Sequence, residues 1–433
     1  MMLTPEQQAL GRRNFLKVLA ATPALAALGA AATLEGQPSD RPVRLGFVGV
    51  GGQGRSLLTA TAVGAVATGY ADIRALADIN PAQLGLATRQ LAANSVAPPR
   101  QYADWRQMLE REDIEAIVMA PPLWQHADIA VGCLEAGKHV LCEKMMAWDI
   151  AGCERMRNAA LRYKRVLEIG YQRNYNPVYE AAFSGVFRKE LLGDIFLTRL
   201  TWHRNGNWRR RGAPPSADYD PSRWGYPTFE HLLNWRLYSR YSRGLFAELA
   251  SHQINIVNQV YGGRPTSVMS SGGVYRFTDG RESYDHVYGT FEYSGGRTAV
   301  FSSIESNAFD DYYEMYMGTK GTLILRREVE AMLFAEGEGD QLTGLEIIPR
   351  GSGAVLDASE TQPGHRSSAA ETRASTGPAL VERAESTRRM IRQFCRAVRD
   401  RAPLACGADK AIDSARACIR ANEAVETRTR LAI

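Results

Sequence analysis

At 433 residues, with 45% hydrophobic and 23% charged residues, the chain has the composition of a globular protein too long for one ordinary core, so two domains are expected. Lys and Arg number 52 against 47 Asp and Glu, a net charge of +5 that makes no case for a nucleic-acid partner. The six cysteines (Cys133, Cys142, Cys153, Cys395, Cys406 and Cys418) form no C-x-x-C pair and have no histidine at zinc-finger spacing, so buried free thiols are favoured, with one or two disulfides as the alternative in an exported protein.

Residues 1–35 read as a targeting segment that stands outside the fold. Arg12-Arg13-Asn14-Phe15-Leu16-Lys17 is a twin-arginine element, and the apolar stretch from Val18 to Ala32 ends in small residues suited to cleavage. This predicts passage through the twin-arginine export machinery to the periplasm. Gly11 stands where such elements usually carry Ser or Thr. Left uncleaved, the apolar run, a little short of a bilayer span, would act as an anchor.

Residues 41–165 read as a doubly wound α/β domain. Val43 to Val48 is a short buried strand, and Gly49-Val50-Gly51-Gly52-Gln53-Gly54 then turns into a helix-compatible run: G-x-G-x-x-G between strand and helix. Gly49 permits the tight turn, Gly51 lets the backbone approach a pyrophosphate, and Gly54 allows helix to pack on strand. The helix N-terminus supplies unpaired N–H groups and a positive dipole end to the phosphates. The next strand, from Ile73, closes on Asp78, at about the 20-residue separation where dinucleotide sites place an acid for the ribose hydroxyls. Asp78 would repel a 2′-phosphate, which favours NAD over NADP.

Helices from Pro81, Trp105 and His126 alternate with strands at Ala116–Ala120 and His139–Cys142, the rhythm of a parallel sheet. Ligands of such sheets sit at the carboxyl ends of the strands. Gly52, Gln53, Pro121, His126, Glu143 and Lys144 therefore join Gly49, Gly51, Gly54 and Asp78 as candidate cofactor contacts.

From residue 166 to 433 the rhythm changes to strands with few helices, at Ile195–Trp202, Ser267–Tyr275, His286–Tyr293, Thr298–Ser303, Tyr312–Met317 and Thr322–Leu325. This predicts an α+β domain with an open, largely antiparallel sheet. Between Arg204 and Trp235 runs a loop rich in Arg and aromatic residues, too long for an ordinary connection. Its Trp208, Tyr219, Trp224 and Tyr226 suit the apolar faces of sugar rings, and packing on a neighbouring subunit is the alternative. Residues 352–378 are Ser-, Ala- and Gly-rich and read as a mobile excursion. Two helices, from Ala384 and from Ala408, close the chain.

In the helix around 243–257, Glu248, His252 and Asn255 fall at i, i+4 and i+7 and so share a face. Glu248 is placed to orient the His252 ring and raise its basicity, an arrangement suited to proton transfer near neutral pH. A helix-surface ion pair or a core histidine is the plainer alternative. Lys144 follows a strand end where nicotinamide should lie, and is the second candidate proton carrier; a solvated lysine paired with Glu143 is the alternative. No third ligand accompanies His252 at metal spacing, so no metal is expected.

These residues also carry a resemblance. The run GFVGVGGQGR, the segment from Tyr102-Ala103-Asp104-Trp105 to Pro121 with His126, and Ala136-Gly137-Lys138-His139-Val140-Leu141-Cys142-Glu143-Lys144 resemble the Gfo/Idh/MocA oxidoreductase family, as do Gly170-Tyr171-Gln172-Arg173 and the helix with Glu248 and His252. The resemblance implies a Rossmann domain, an open-sheet domain used for substrate and often for homo-oligomers, and NAD(P)-linked oxidation or reduction of sugars and polyols. It implies that Lys144 hydrogen-bonds the reacting hydroxyl and that His252 is the acid/base; Gln172, Arg173, Tyr175, Trp208 and Asn255 are this sequence's candidates for binding the sugar. Glu248 and Asn255 stand where the family often has Asp, and Met145 replaces its Pro after the lysine. Some exported relatives resemble glycosidases that recycle bound NAD through oxidation, elimination, water addition and re-reduction; that is the first alternative, with His203, Tyr175 or Tyr238 as a further acid/base. A carbohydrate-binding protein that retains nucleotide without turnover is the second.

Overall fold

The structure is a computed structural model that describes residues 3–20, 41–336 and 383–433. The first sheet holds β1 (Val43–Val48), β2 (Ala71–Ala77), β3 (Arg100–Tyr102), β4 (Ala116–Met119), β5 (His139–Glu143) and β6 (Leu167–Gly170) in the order β3-β2-β1-β4-β5-β6, every pair parallel. Strands covered on both faces read as near-continuous apolar runs, and β4 and β6 are buried at every position. Helices Gly52–Ala60, Pro81–Ala92, Trp105–Arg111, His126–Glu135 and Ile150–Tyr163 make the crossovers. Strand order reverses between β1 and β4, which opens a crevice above their carboxyl ends. β6 carries this sheet past the boundary expected at residue 165.

The second sheet contains β7 (Ile195–His203), β8 (Ser267–Gly273), β9 (His286–Glu292), β10 (Thr298–Ile304), β11 (Tyr312–Gly318), β12 (Gly321–Arg326), β13 (Glu330–Ala335) and β14 (Leu431–Ala432), in the order β13-β12-β11-β7-β10-β9-β8-β14. All neighbours are antiparallel except β7 and β10. The α/β class and the two-sheet organisation agree with the sequence reading, which missed β13 and the short β14. Helices Ser251–Tyr261 and Ala408–Thr427 pack against each other, and residues of both are buried in one core with the sheet. On the uncovered face Val300 lies opposite Thr290, and Thr290 opposite Met269. Val300, Met269 and the nearby Tyr288 are exposed there.

Two chain ends depart from expectation. The helix Arg383–Asp400, assigned by sequence to the second domain, returns to the first: Met390, Ile391, Phe394 and Cys395 are buried in one core with Val43, Leu45, Phe47 and Leu76. A parallel sheet needs both faces covered, and this helix supplies part of one cover. At the other end, Pro5–Ala20 is a helix packed on β13 rather than a segment outside the fold. Phe15 and Leu19 are fully buried, Arg12 pairs with Glu330 at 3.3 Å, and Asn14 donates to the Leu333 carbonyl at 3.3 Å. A Cβ on Gly11 would lie 2.5 Å from the Phe334 ring, so the close approach requires the glycine that departs from the usual twin-arginine pattern. Burial of Phe15 and Leu19 contributes about 2 kcal/mol each, reason enough for this helix to settle on the sheet.

No helix among the described residues is long and apolar enough to cross a membrane. All six cysteines are buried and unbridged. The segment 352–378 lies outside the described residues.

Candidate active site

A cavity of about 710 Å³ opens above the switch point, between the carboxyl edge of the parallel sheet and the second domain. That volume suits the nicotinamide end of a dinucleotide together with a small substrate.

One wall is the glycine turn. Gly49 has φ +79°, and a Cβ there would lie 2.7 Å from the Pro121 nitrogen. A Cβ on Gly54 would lie 1.9 Å from the Gly49 carbonyl oxygen, so any side chain there forces helix and strand apart. Gly51 meets nothing within 4 Å, leaving its backbone open to a ligand. Asp78 accepts backbone hydrogen bonds from Val50 and Asn80, each at 2.8 Å. Burial pushes its carboxyl up to about 6, against those two donors and Arg55. Gln53 donates to Glu143 at 2.8 Å, tying the turn to the end of β5. Burial also raises the Glu143 carboxyl, opposed by Lys144 and Gln53. The open Gly51 backbone, the helix N-terminus and the half-buried acid at the end of β2 fit the phosphates and ribose of NAD.

His126 lines the cavity, but its ring is committed elsewhere: Nδ1 lies 2.9 Å from the Met145 carbonyl oxygen and Nε2 3.1 Å from that of Pro121. It fastens the turn after β4 to the residue after Lys144. The Lys144–Met145 bond is cis.

The opposite wall belongs to the second domain. Residues Phe246–Ala250 form a π-helical turn that leads into the α-helix Ser251–Tyr261. No hydrogen bond or ion pair joins Glu248 to His252 among the described residues. The expected Glu248–His252 pair is therefore absent. Glu248 instead accepts from Arg236 at 3.0 Å and lies 3.8 Å from Lys144 Nζ, which also donates to the Glu248 carbonyl at 2.8 Å. Burial pushes the Glu248 carboxyl up, but Arg236 and Lys144 outweigh it and bring it down to about 2. His252 packs against Trp202 and Tyr171, and its Nδ1 has no partner among the described residues. Burial holds its imidazole well below the ordinary range, and Lys144 and Arg173 push the same way. The expected rise in basicity is thus reversed, and the ring is neutral at pH 7. Gln172 also lines the cavity with an unpartnered side-chain oxygen.

Among the remaining predicted residues, Trp208 lines the cavity with the Arg204 guanidinium 4.2 Å from its ring. Arg173, Tyr175 and Asn255 do not. Arg173 is buried in ion pairs with Glu314 and Glu328, with its guanidinium 5.1 Å from the Trp202 ring, so it supports the site from beneath. Tyr175 donates to the buried Glu168, and Asn255 donates to Ser414 at 3.0 Å and accepts from Asn174. Neither His203, bonded to Ser302, nor Tyr238, stacked on His231, lines the cavity. Sequence reasoning missed Trp202, Arg204, Arg210 and Arg236 as named positions. Arg204 and Arg210 lie in the loop already singled out, but nothing in their spacing separates them from its other arginines.

Residues 43–171 match the oxidoreductase family with an NAD-binding Rossmann fold, GFO_IDH_MocA, and residues 186–324 match the GFO/IDH/MocA C-terminal domain. The chain belongs to the Gfo/Idh/MocA oxidoreductase family. Among curated relatives, glycosyl hydrolase family 109 protein 1 of Shewanella sp. (strain ANA-3) is 26% identical over 187 residues, 40% of either chain. The family 109 protein of Shewanella woodyi (strain ATCC 51908 / MS32) is 27% identical over 267 residues, 54% of this chain and 56% of that one. The chain thus spans about half or less of the curated relatives it matches. Among solved structures, a levoglucosan dehydrogenase in complex with NADH and levoglucosan aligns with TM-score 0.65 at 16% identity, covering 91% of this chain and 100% of that one. A putative myo-inositol dehydrogenase from Sinorhizobium meliloti 1021 aligns with TM-score 0.62 at 19% identity, covering 90% and 99%. At these identities the structural likeness concerns the fold.

Proposed function

We propose that this member of the family is an NAD-dependent oxidoreductase that oxidises a hydroxyl, or reduces the matching ketone, of a sugar or polyol. The observation that carries the reading is the meeting, in one cavity, of Lys144, Gln172 and a neutral His252 with an NAD-binding turn. Hydroxyls of a polyhydroxylated ring both donate and accept, and so suit a lysine ammonium beside a neutral imidazole. Bound NAD would supply the hydride acceptor or donor. Lys144, fixed by the Glu248 carbonyl, keeps N–H groups free to hold the reacting oxygen. His252 accepts the hydroxyl proton in the oxidative direction, which its neutral state permits. Glu248 acts by placing Lys144 and Arg236. Trp202 and Trp208 offer aromatic faces to the ring.

A second reading is supported by the names of the curated relatives: a glycosidase that oxidises a ring hydroxyl, eliminates the glycosidic substituent, adds water and re-reduces, with no net use of NAD. Purified protein should be denatured to identify released NAD(H), and native protein incubated with aryl glycosides and free sugars. A change in reduced-nicotinamide absorbance without aglycone supports the dehydrogenase. Aglycone release without net absorbance change supports the glycosidase, and neither signal from a nucleotide-loaded protein would sink both.

Two further points belong to this proposal. The Arg12-Arg13 element directs export of the folded, nucleotide-loaded chain, and changing both residues to Lys should keep it in the cytoplasm. The uncovered sheet face carrying Met269, Tyr288 and Val300 joins copies of this chain into a homo-oligomer, which Val300→Lys should dissociate in light scattering.

A further inference from the structure

We propose that the segment 204–235 is a strap laid across the nucleotide, and that Arg210 is a clamp on the cofactor pyrophosphate contributed by the second domain. This rests on the NAD reading and extends it to a group outside the Rossmann domain.

The Arg210 guanidinium approaches the glycine turn at Gly52. A Cβ on Gly52 would lie 3.8 Å from Arg210 Nη2 and within 4 Å of nothing else, while a Cβ on Gly51 would meet nothing. A pyrophosphate approaching the backbone at Gly51 would therefore have the helix N-terminus on one side and a guanidinium on the other. Arg210 has no carboxylate partner among the described residues. Three other arginines of this region are already committed: Arg209 to Glu230 and Asp279, Arg204 to Glu305, Arg236 to Glu248. A planar guanidinium with open donors suits a bidentate phosphate contact.

The position of Arg210 is built rather than incidental. Its backbone N–H donates to Asn234 Oδ1 at 2.6 Å, and its carbonyl accepts from Asn234 Nδ2 at 3.1 Å. Asn234 is itself 3% exposed and donates to Glu230. Further along, the strap is tied to the Rossmann domain at two points flanking the nucleotide path. Tyr219 donates to the carbonyl of Ile79, next to Asp78, at 2.9 Å. Trp124, after β4, donates to the buried Tyr226 hydroxyl at 2.9 Å. A nucleotide lying between the glycine turn and this strap cannot leave until those ties open, so release is slow. That retention is what a recycled cofactor needs.

The test compares full-length wild type, Arg210→Gln and Tyr219→Phe. Nucleotide content per chain is measured after purification, and NADH release is followed by loss of its fluorescence in the presence of excess NAD. Arg210→Gln should speed release at least about tenfold, the effect of losing a charge-assisted hydrogen bond, and should flatten the salt dependence of NADH affinity. Tyr219→Phe should speed release by a smaller factor. The thermal midpoint of the nucleotide-free Arg210→Gln protein should match wild type, because the guanidinium has no hydrogen-bond or carboxylate partner to lose among the described residues. Wild-type release with unchanged salt dependence in Arg210→Gln would overturn the clamp while leaving the cofactor reading intact. An effect confined to sugar KM at saturating NAD would overturn it in favour of a substrate contact. A wild type that binds no NADH at all would overturn the cofactor reading and this one together.

Discussion

The two walls of the cavity are built on opposite principles. On the Rossmann side the turn is held by backbone and sterics: Gly49 and Gly54 leave no room for a side chain, and Asp78 and Glu143 are each bonded within the wall. On the second-domain side the surface is made of long side chains whose bonding capacity is only part used. His252 and Trp224 each keep a buried polar atom without a partner, and Arg210 has no anion partner, among the described residues. The first wall is finished before any ligand arrives. The second is completed by its ligand, which is how one cofactor site can serve different substrates within a family. Lys144 and Glu248 are the seam between them, since the lysine follows β5 and its anchor lies in the second domain.

The sharpest way to break the contrast is at Gly54. Gly54→Ala places a methyl 1.9 Å from the Gly49 carbonyl, and the expected outcome is loss of nucleotide from the purified protein, read by absorbance after denaturation. Retained nucleotide would show that the first wall yields more than its geometry implies. At the seam, Lys144→Ala should lower kcat by about 10²–10⁴ with nucleotide content unchanged, as expected for loss of a positioned proton donor. Full activity would remove Lys144 from the chemistry.

Glu248→Gln tests the second wall through pH. The Glu248 carboxyl is held at about 2 against an ordinary value of 4.5, so its contribution to stability is present above pH 4.5 and is lost as pH falls toward 2. The shift corresponds to about 3 kcal/mol. Wild type should therefore lose more stability than Glu248→Gln across that window in denaturant titrations, and parallel curves would refute the assignment. The smallest effect concerns Asp78, raised to about 6. Protonation removes acceptor capacity for ribose hydroxyls, so NAD affinity should weaken as pH falls through about 6, and Asp78→Asn should show a flat profile. Calorimetric titration between pH 5 and 8 would decide it.

Much of the first wall was legible in the residues. The glycine spacing, the acid after the second strand and the Glu143–Lys144 pair are local signals, because each depends on a few consecutive residues in a strand or turn. The second wall was legible only as a list of candidate types. Helical spacing joined Glu248 to His252, but Arg236 and Lys144 took the carboxylate. Arg173 stood in a stretch shared with Gln172, yet one side chain reaches the cavity and the other is buried against Glu314 and Glu328. A sequence carries no local mark of which side of a short turn faces solvent.

The chain ends make the same division. From residue types alone came the α/β class, the two sheets, the nucleotide turn and the family. Those follow from periodicity and from the restricted conformations of glycine, which act over short distances. Only the tertiary structure decided that the helix Arg383–Asp400 covers the first sheet, that the helix around Gly11 seats on β13, and that Glu248 serves Lys144 and not His252. Each of these outcomes turns on which of several chemically equivalent partners lies closest once the chain is packed, and hydrophobic burial and charge pairing are indifferent to separation along the sequence.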